Sequence, residues 1–361
     1  MKYLFALSLC LVVGALSAQS FNQIEAVEYD AANSRFLVTN GNSIISRLPN
    51  GTLEFFGNSN KASYGMEIIG NTLFAVHSTP ASNWIYGYDL TTEEEVMVLE
   101  IPEADFLNGM GTDGVSKLWV SDFGAGEIYE INVSNIEEPT YAMVATTPGE
   151  TPNGVVYDET NDRVLIVTWD APGPILQMDP TTYEVTTAGG AGVSACDGID
   201  NDGDNNFFIS SWSPLRITKF DENFLTSEII TAPGISQPAD ISYAVAIDTL
   251  AIANSGNETL TLIGFNNTTS VVETEGNPLE FSVFPNPVDE TSKVSFNLKT
   301  STQVTLNVID SSGKIAAQLM DEILSSGQHH VLMAGISLAK GYYIYEIEAE
   351  DGCLHFPFLV K

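Results

Sequence analysis

The chain has 361 residues, 44% of them apolar and 17% charged, a composition that supplies cores for two domains and excludes a disordered chain. Against 13 lysines and arginines stand 47 aspartates and glutamates, a net charge of −34. Such a surface repels phosphate backbones and anionic lipid heads, which argues against nucleic-acid and membrane-surface partners.

Residues 1–18 have the form of a secretory signal: Lys2, an apolar run from Leu4 to Leu16, and a small-residue cleavage site at Leu16-Ser17-Ala18. The mature chain is expected to begin at Gln19. Cys10 offers a lipoprotein alternative, but Leu9 is bulky where a lipobox needs a small residue. No later stretch reaches the roughly 18 apolar residues of a transmembrane helix. Outside the signal only Cys196 and Cys353 remain, in different expected domains, so no disulfide framework is implied and each reads as a small buried hydrophobe.

From residue 21 a unit recurs at a period of roughly 40–45 residues. Its starts are Glu25-Ala-Val-Glu-Tyr-Asp, Asn108-Gly-Met-Gly-Thr-Asp, Asn153-Gly-Val-Val-Tyr-Asp and Asp197-Gly-Ile-Asp-Asn-Asp, with weaker copies at Tyr64 and Ala239. An alternating strand follows each, such as Arg35-Phe-Leu-Val-Thr, Lys117-Leu-Trp-Val-Ser and Arg163-Val-Leu-Ile-Val-Thr, and then two more short strands. Four short antiparallel strands per unit, six times over, predict an all-β fold, a six-bladed β-propeller over 19–265. An antiparallel sandwich is the competing fold, but it gives no reason for a polar residue to recur at the start of each unit. Residues 266–278 are polar and read as a linker. Residues 279–361 show strands at Ser292 to Leu298, Val304 to Asp310, Ile315 to Leu319, His330 to Met333, Tyr342 to Glu348 and Phe356 to Val360, which suits a small β-sandwich.

The first strand of a blade runs beside the central channel, so residues at equivalent points form a ring around the axis. That ring reads Glu25, Tyr64, Asn108, Asn153, Asp197 and Ala239. Two carboxylates and two amides make a hard oxygen set of the kind that holds calcium or magnesium. The competing reading is turn chemistry, since Asn-Gly and Asp-Gly are turn dipeptides. A second ring, at the ends of the second strands, reads Asn40, His77, Asp122, Trp169, Trp212 and Asn254. His77 and Asp122 are candidate acid/base groups there, and Trp169 with Trp212 could wall a ligand; hydrogen-bonded and packing roles are the alternatives. The run Asp197 to Asn206 has the acidic spacing of an EF-hand loop but lacks a closing Glu and flanking helices, so it reads as a hairpin turn. No serine-hydrolase elbow, Walker loop or zinc motif is present.

The C-terminal region resembles the type A sorting domain of the type IX secretion system of Bacteroidetes, through Phe284-Pro285-Asn286-Pro287, Val308-Ile309-Asp310-Ser311-Ser312-Gly313-Lys314 and Leu338-Ala339-Lys340-Gly341-Tyr342-Tyr343. The resemblance implies delivery to the outer-membrane translocon and a secreted or surface location. The propeller resembles the senescence marker protein/gluconolactonase family, in which one divalent metal sits at the top of the channel. Carried onto this chain, that implies Glu25, Asn153 and Asp197 as metal ligands and Asn108 beside the substrate. Calcium is the first choice, with magnesium or zinc as the other divalent candidates. Glu25-Ala26-Val27 departs from the Glu-Gly-Pro common in that family, and Phe106 stands where members that bind sugar acids carry Arg. The implied activity is hydrolysis of a lactone or related ester, apolar rather than an aldonolactone, with Asp197, Asp122 and His77 as catalytic candidates and Asn108, Phe106, Trp169 and Trp212 as substrate contacts. The alternative is a non-catalytic propeller that binds a glycan, peptide or protein.

Overall fold

The computed structural model describes residues 19–57, 60–265, 272–275, 280–284, 292–298, 300–310, 314–332, 338–349 and 352–360. The expected signal at 1–18, and Pro285-Asn286-Pro287 and Ser311-Ser312-Gly313 of the sorting motifs, lie outside the described residues.

Six four-stranded antiparallel sheets follow one another along the chain. The first comprises Val27–Asp30, Arg35–Asn40, Ser43–Arg47 and Leu53–Phe55; the second Met66–Ile69, Thr72–Thr79, Ser82–Asp89 and Glu95–Glu100. The third comprises Leu107–Thr112, Lys117–Asp122, Glu127–Asn132 and Thr140–Thr146; the fourth Pro152–Asp158, Arg163–Thr168, Pro174–Met178 and Val185–Gly190. Ser194–Asn201, Phe207–Ser213, Leu215–Phe220 and Ser227–Ile230 make the fifth, and Pro238–Ala244, Thr249–Asn254, Thr259–Gly264 and Val272–Glu275 the sixth. The strand at Val272–Glu275 corrects the expected boundary: part of the supposed linker pairs with Thr259–Gly264 as the outer strand of the last sheet.

Within each sheet the strands lie in chain order, and the first strand contacts its counterparts in the sheets on either side. Six apolar clusters fill the six spaces between neighbouring sheets. The sixth joins the ends of the array, packing Phe21, Ile24 and Val27 against Ala244, Ala253 and Leu260. Beside it the Asp240 N–H donates to the Glu25 carbonyl at 2.9 Å. The sheets are the blades of a β-propeller, with the first strands innermost.

Blades are also joined by charge. In the first hairpin Asp30 accepts from the Asn33 backbone N–H at 3.1 Å and from Arg35 Nε at 2.9 Å. Arg35 then crosses to the second blade, meeting Glu93 at 2.5 Å and the Leu90 carbonyl at 2.9 Å, with its guanidinium 5.0 Å from the Phe56 ring centroid. The fourth blade repeats the device with Asp158, Asn161 and Arg163, which reaches the Glu222 carbonyl of the fifth. A guanidinium fork suits this task because it serves several acceptors in one plane.

The glycines that follow the mouth ring set how closely the inner strands approach. A Cβ at Gly154 would stand 2.5 Å from the Asp197 carbonyl oxygen; at Gly198, 2.8 Å from Asp240 Cα; at Gly65, 2.6 Å from the Met110 nitrogen; at Gly109 it would run into the Asn153 carbonyl. None of these four has a positive φ. The Asn-Gly and Asp-Gly pairs are therefore strand positions at which one blade's backbone lies on the next, and the turn reading of those pairs does not hold.

Beyond the propeller, Glu280–Phe284, Lys293–Leu298 and Gly327–Leu332 form one antiparallel sheet, and Ile315–Leu324, Thr302–Asp310, Gly341–Ala349 and Gly352–Val360 another, in that order. Val294, Phe296, Leu306, Val308, Tyr345 and Ile347 share its core. Among the described residues no helix is long and apolar enough to cross a membrane.

Gly154→Ala is expected to destabilise the propeller by about 1–3 kcal/mol through overpacking of backbone on backbone. Gly190→Ala, whose Cβ would meet nothing within 4 Å, is the matched control and should leave the urea midpoint nearly unchanged.

Candidate functional site at the channel mouth

The inner strands present the first ring at one end of the channel. Asn153 Nδ2 donates to Asp197 Oδ1 at 3.1 Å and to the Cys196 carbonyl at 3.3 Å, whereas Asn153 Oδ1 is buried without a partner. Burial pushes the Asp197 carboxyl up to about 7, against hydrogen bonds from Asn153 and the Trp212 indole. Glu25 is raised well above the ordinary carboxylate range, first by burial and then by Asp197 and Asp240. Tyr64 is raised by burial and by Glu25. Asn153 and Asp197 are thus hydrogen-bonded to each other and Glu25 lies within electrostatic reach of Asp197, with Asn108 almost fully buried in the neighbouring blade.

Among the described residues no group of three or more His, Cys, Asp and Glu side chains is placed to hold a metal unaided. The fit of a cation to this ring rests on the Asn153 amide: its buried oxygen lacks a donor, and a buried acceptor left in that state costs about 1–3 kcal/mol. Two carboxylates and an orphaned carbonyl oxygen are the donor chemistry of a calcium or magnesium site.

Three residues further along the same strands lies a second tier that the sequence reading missed. Glu28, Glu67 and Asp200 line the channel with Asp240. Burial is the main cause of elevation in each, reinforced for Glu28 by Asp200 and Asp240, and for Glu67 by Glu28, Asp200 and Asp240. Asp200, raised to about 7, accepts N–H donors from Tyr243 at 2.5 Å and Asn201 at 2.7 Å. A signal was available: Glu28, Glu67 and Asp200 each follow a first-ring position by three.

Around the mouth five half-buried rings follow edge to face. Tyr64 and Phe106 lie 4.9 Å apart, Phe106 and Phe123 5.7 Å, Phe123 and Trp169 6.1 Å, and Trp169 and Trp212 5.0 Å. The Trp212 indole also donates to the Pro238 carbonyl at 3.0 Å. Phe106, Trp169 and Trp212, expected as substrate contacts, are members of one arc together with Tyr64 of the first ring and with Phe123, the one member that sequence reasoning did not single out.

Two expected acid/base groups are placed elsewhere. Asp122 is fully buried, and its two oxygens accept the backbone N–H groups of Asp105, Phe106, Gly124 and Ala125 at 2.7–3.0 Å. It fixes the loops that carry Phe106 and Phe123. Asn40, Asp170 and Asn254 do the same in their blades, accepting from Asn22, Thr151 and Ser236. In the first, third and sixth blades the second-ring residue thus anchors the entering chain, and in the fourth the residue next to it does so. His77 binds Ser63 Oγ through Nδ1 at 2.8 Å and lines a groove with Lys61, Trp84 and Tyr86. Cys196 is a buried free thiol pushed up to about 12 by burial and by Asp197, which keeps it unreactive. The Asp197–Asn206 run divides: Asp197 and Asp200 lie on the inner strand, while Asp202 holds the hairpin through Asn206 and Lys219.

Residues 282–358 match the secretion system C-terminal sorting domain family. The protein is thus handled by type IX secretion and exported to the cell surface or the medium. No curated protein is significantly similar to the chain in sequence. Among solved structures it is similar to a chain of a nidogen/laminin complex, with a TM-score of 0.55 at 11% identity over 66% of this chain and 92% of that one. The β-propeller domain of Cps50 (Swd1) from Myceliophteria thermophila gives 0.50 at 10% identity, over 73% and 90%. Hydrazine synthase of Kuenenia stuttgartiensis gives 0.51 at 10% identity, over 71% and 80%. At these identities the likeness is one of propeller fold.

The second tier sets a pH dependence. Asp200 titrates near 3.8 as a free carboxyl and near 7 in the fold. Between those values the folded chain holds a proton that the unfolded chain has released, so stability falls as pH rises. In chelator the melting temperature should drop from about pH 4 to about pH 7 and level off above it, and Asp200→Asn should remove much of that drop. A melting temperature that rises over this window would show the tier to be solvated.

Proposed function

We propose that the channel mouth is the working site of a secreted hydrolase of lactones or related esters, with one divalent cation, calcium first, held by Glu25, Asn153 and Asp197. The observation that carries this reading is the buried, donorless Asn153 Oδ1 beside the Asp197 carboxyl. It agrees with the resemblance of the blade starts to the gluconolactonase family. A cation there would supply Lewis-acid polarisation of the ester carbonyl and acidify a water.

The chain's own residues would do the rest. Asp197, with Asp122 and His77 engaged elsewhere, is the carboxylate left to take a proton from the attacking water. The Asn108 amide would orient the carbonyl. The arc from Tyr64 to Trp212 would exclude water from the reacting centre and hold the apolar body of the substrate, with Phe106 in place of a cationic side chain for a sugar acid.

The commitment of Asp122 to four backbone donors favours a second reading. A mouth with one free acid/base group also serves a propeller that binds a glycan, peptide or protein without turnover.

The full chain, assayed on aryl esters and lactones with and without chelator, separates the two. The hydrolase reading expects chelator-sensitive turnover restored by calcium and reduced about 10²–10⁴-fold in Asp197→Ala, together with a calcium-dependent rise in melting temperature that Asn153→Ala abolishes. Calcium binding without turnover on any ester would assign the protein to the binding reading. Absence of calcium binding would remove the cation from both.

A further inference from the structure

His77 and its neighbours form a second built site, independent of the channel. A groove of about 430 Å³ opens on the second blade, lined by Lys61, His77, Ser82, Trp84, Tyr86 and Glu95. Its floor is rigid. Trp84, Tyr86 and Tyr88 stand on one face of the strand Ser82–Asp89, Tyr86 and Tyr88 stacked at 8° with centroids 6.1 Å apart, and Trp84 6.4 Å from Tyr86. Tyr88 is fully buried and Tyr86 nearly so, while Trp84 keeps part of its ring exposed.

Lys61 is held over this floor from its backbone. Its N–H donates to the Tyr88 hydroxyl at 2.5 Å, and that hydroxyl donates back to the Lys61 carbonyl at 2.9 Å. The ammonium then sits 3.2 Å from the Tyr86 hydroxyl and 5.2 Å from its ring centroid. Among the described residues no carboxylate forms an ion pair with Lys61, in a chain where acids far outnumber bases. Beside it His77 spends Nδ1 on Ser63 and is kept neutral by burial and by the lysine. Its Nε2 remains available to one hydroxyl, as donor or acceptor according to tautomer.

The elements are an exposed cation resting on a tyrosine, a partly open indole face, and a set of hydroxyl, imidazole and carboxylate groups around them. We propose that this groove binds an acidic saccharide residue, a hexuronate, with its carboxylate on Lys61, the C–H face of its ring on Trp84, and its hydroxyls shared among His77, Ser82 and Glu95. A neutral sugar leaves Lys61 without a counter-charge. A simple carboxylate leaves Trp84 and the polar rim unused. The net negative charge of the chain opposes an anion at long range, but screening at physiological salt confines that effect to about 8 Å.

Calorimetric titration of the full chain with trigalacturonate, cellotriose and benzoate tests the assignment. Trigalacturonate should saturate in the range of about 10 μM to 1 mM, with cellotriose and benzoate each at least about tenfold weaker. Lys61→Met should weaken trigalacturonate about tenfold and erase its advantage over cellotriose. Trp84→Ala should abolish saturation and Trp84→Phe retain it, which separates loss of the stacking face from loss of fold. Glu25→Gln, at the channel mouth, should leave trigalacturonate binding unchanged, so failure here leaves the hydrolase reading untouched and the reverse. Equal binding of cellotriose or of benzoate, binding that survives Trp84→Ala, or no heat from any probe up to about 10 mM would each overturn the proposal.

Discussion

The approach of one inner strand to the next is the constraint on which this propeller depends. At Gly65, Gly109, Gly154 and Gly198 no side chain fits between neighbouring backbones. The residue before each of these glycines, Tyr64, Asn108, Asn153 or Asp197, is set at the mouth, and the residue two further on in the second and fifth blades, Glu67 or Asp200, is set deeper in the channel. Hydroxyls of the second strands complete the lock: Ser121 accepts the Gly109 N–H and donates to the Asn153 carbonyl of the next blade, and Ser210 repeats this between Gly198 and Ala239.

Six carboxyls converge on this channel, and the charges that act on them are those of other carboxyls. Elsewhere two buried acids are neutralised locally, Asp30 by Arg35 and Asp158 by Arg163. The contrast places a cost in the channel, where no lysine or arginine among the described residues acts on these carboxyls. Groups kept at a disadvantage in the ground state are where binding and catalysis are usually found.

Much of this architecture was legible in the sequence because it repeats. Spacing alone located the inner strands and the mouth ring, since equivalent positions in a closed array must face the same axis. What was lost has a local cause. The second ring looked chemical because Asn40, Asp122 and Asn254 recur at the strand ends, yet recurrence there reflects a backbone need common to the blades: an acceptor for the incoming loop. His77 shares that register but finds Ser63 beside it, a contact between two loops that no periodicity reveals. The last strand, Val272–Glu275, was hidden by a polar approach and by its edge position, where one face needs no apolar residues. The aromatic arc was half visible, as Phe106, Trp169 and Trp212, and Phe123 joined it only when the Asp122 turn was seen to bring it round.

Each blade is completed by its own four consecutive strands, and none is shared between the two ends of the array. Five of the six interfaces therefore join segments adjacent in sequence, whereas the one that packs Phe21 and Ile24 on Leu260 brings together residues more than two hundred positions apart. The loop-closure entropy of the whole ring falls on that junction. All six blades can stack through the other five interfaces as an open arc, and the seam beside Glu25 and Asp240 carries the cost of closing it. Since Glu25 belongs to the mouth, the arc has no complete site until the ends meet, and anything that bridges Glu25 to Asp197 also acts as a clasp on the ring.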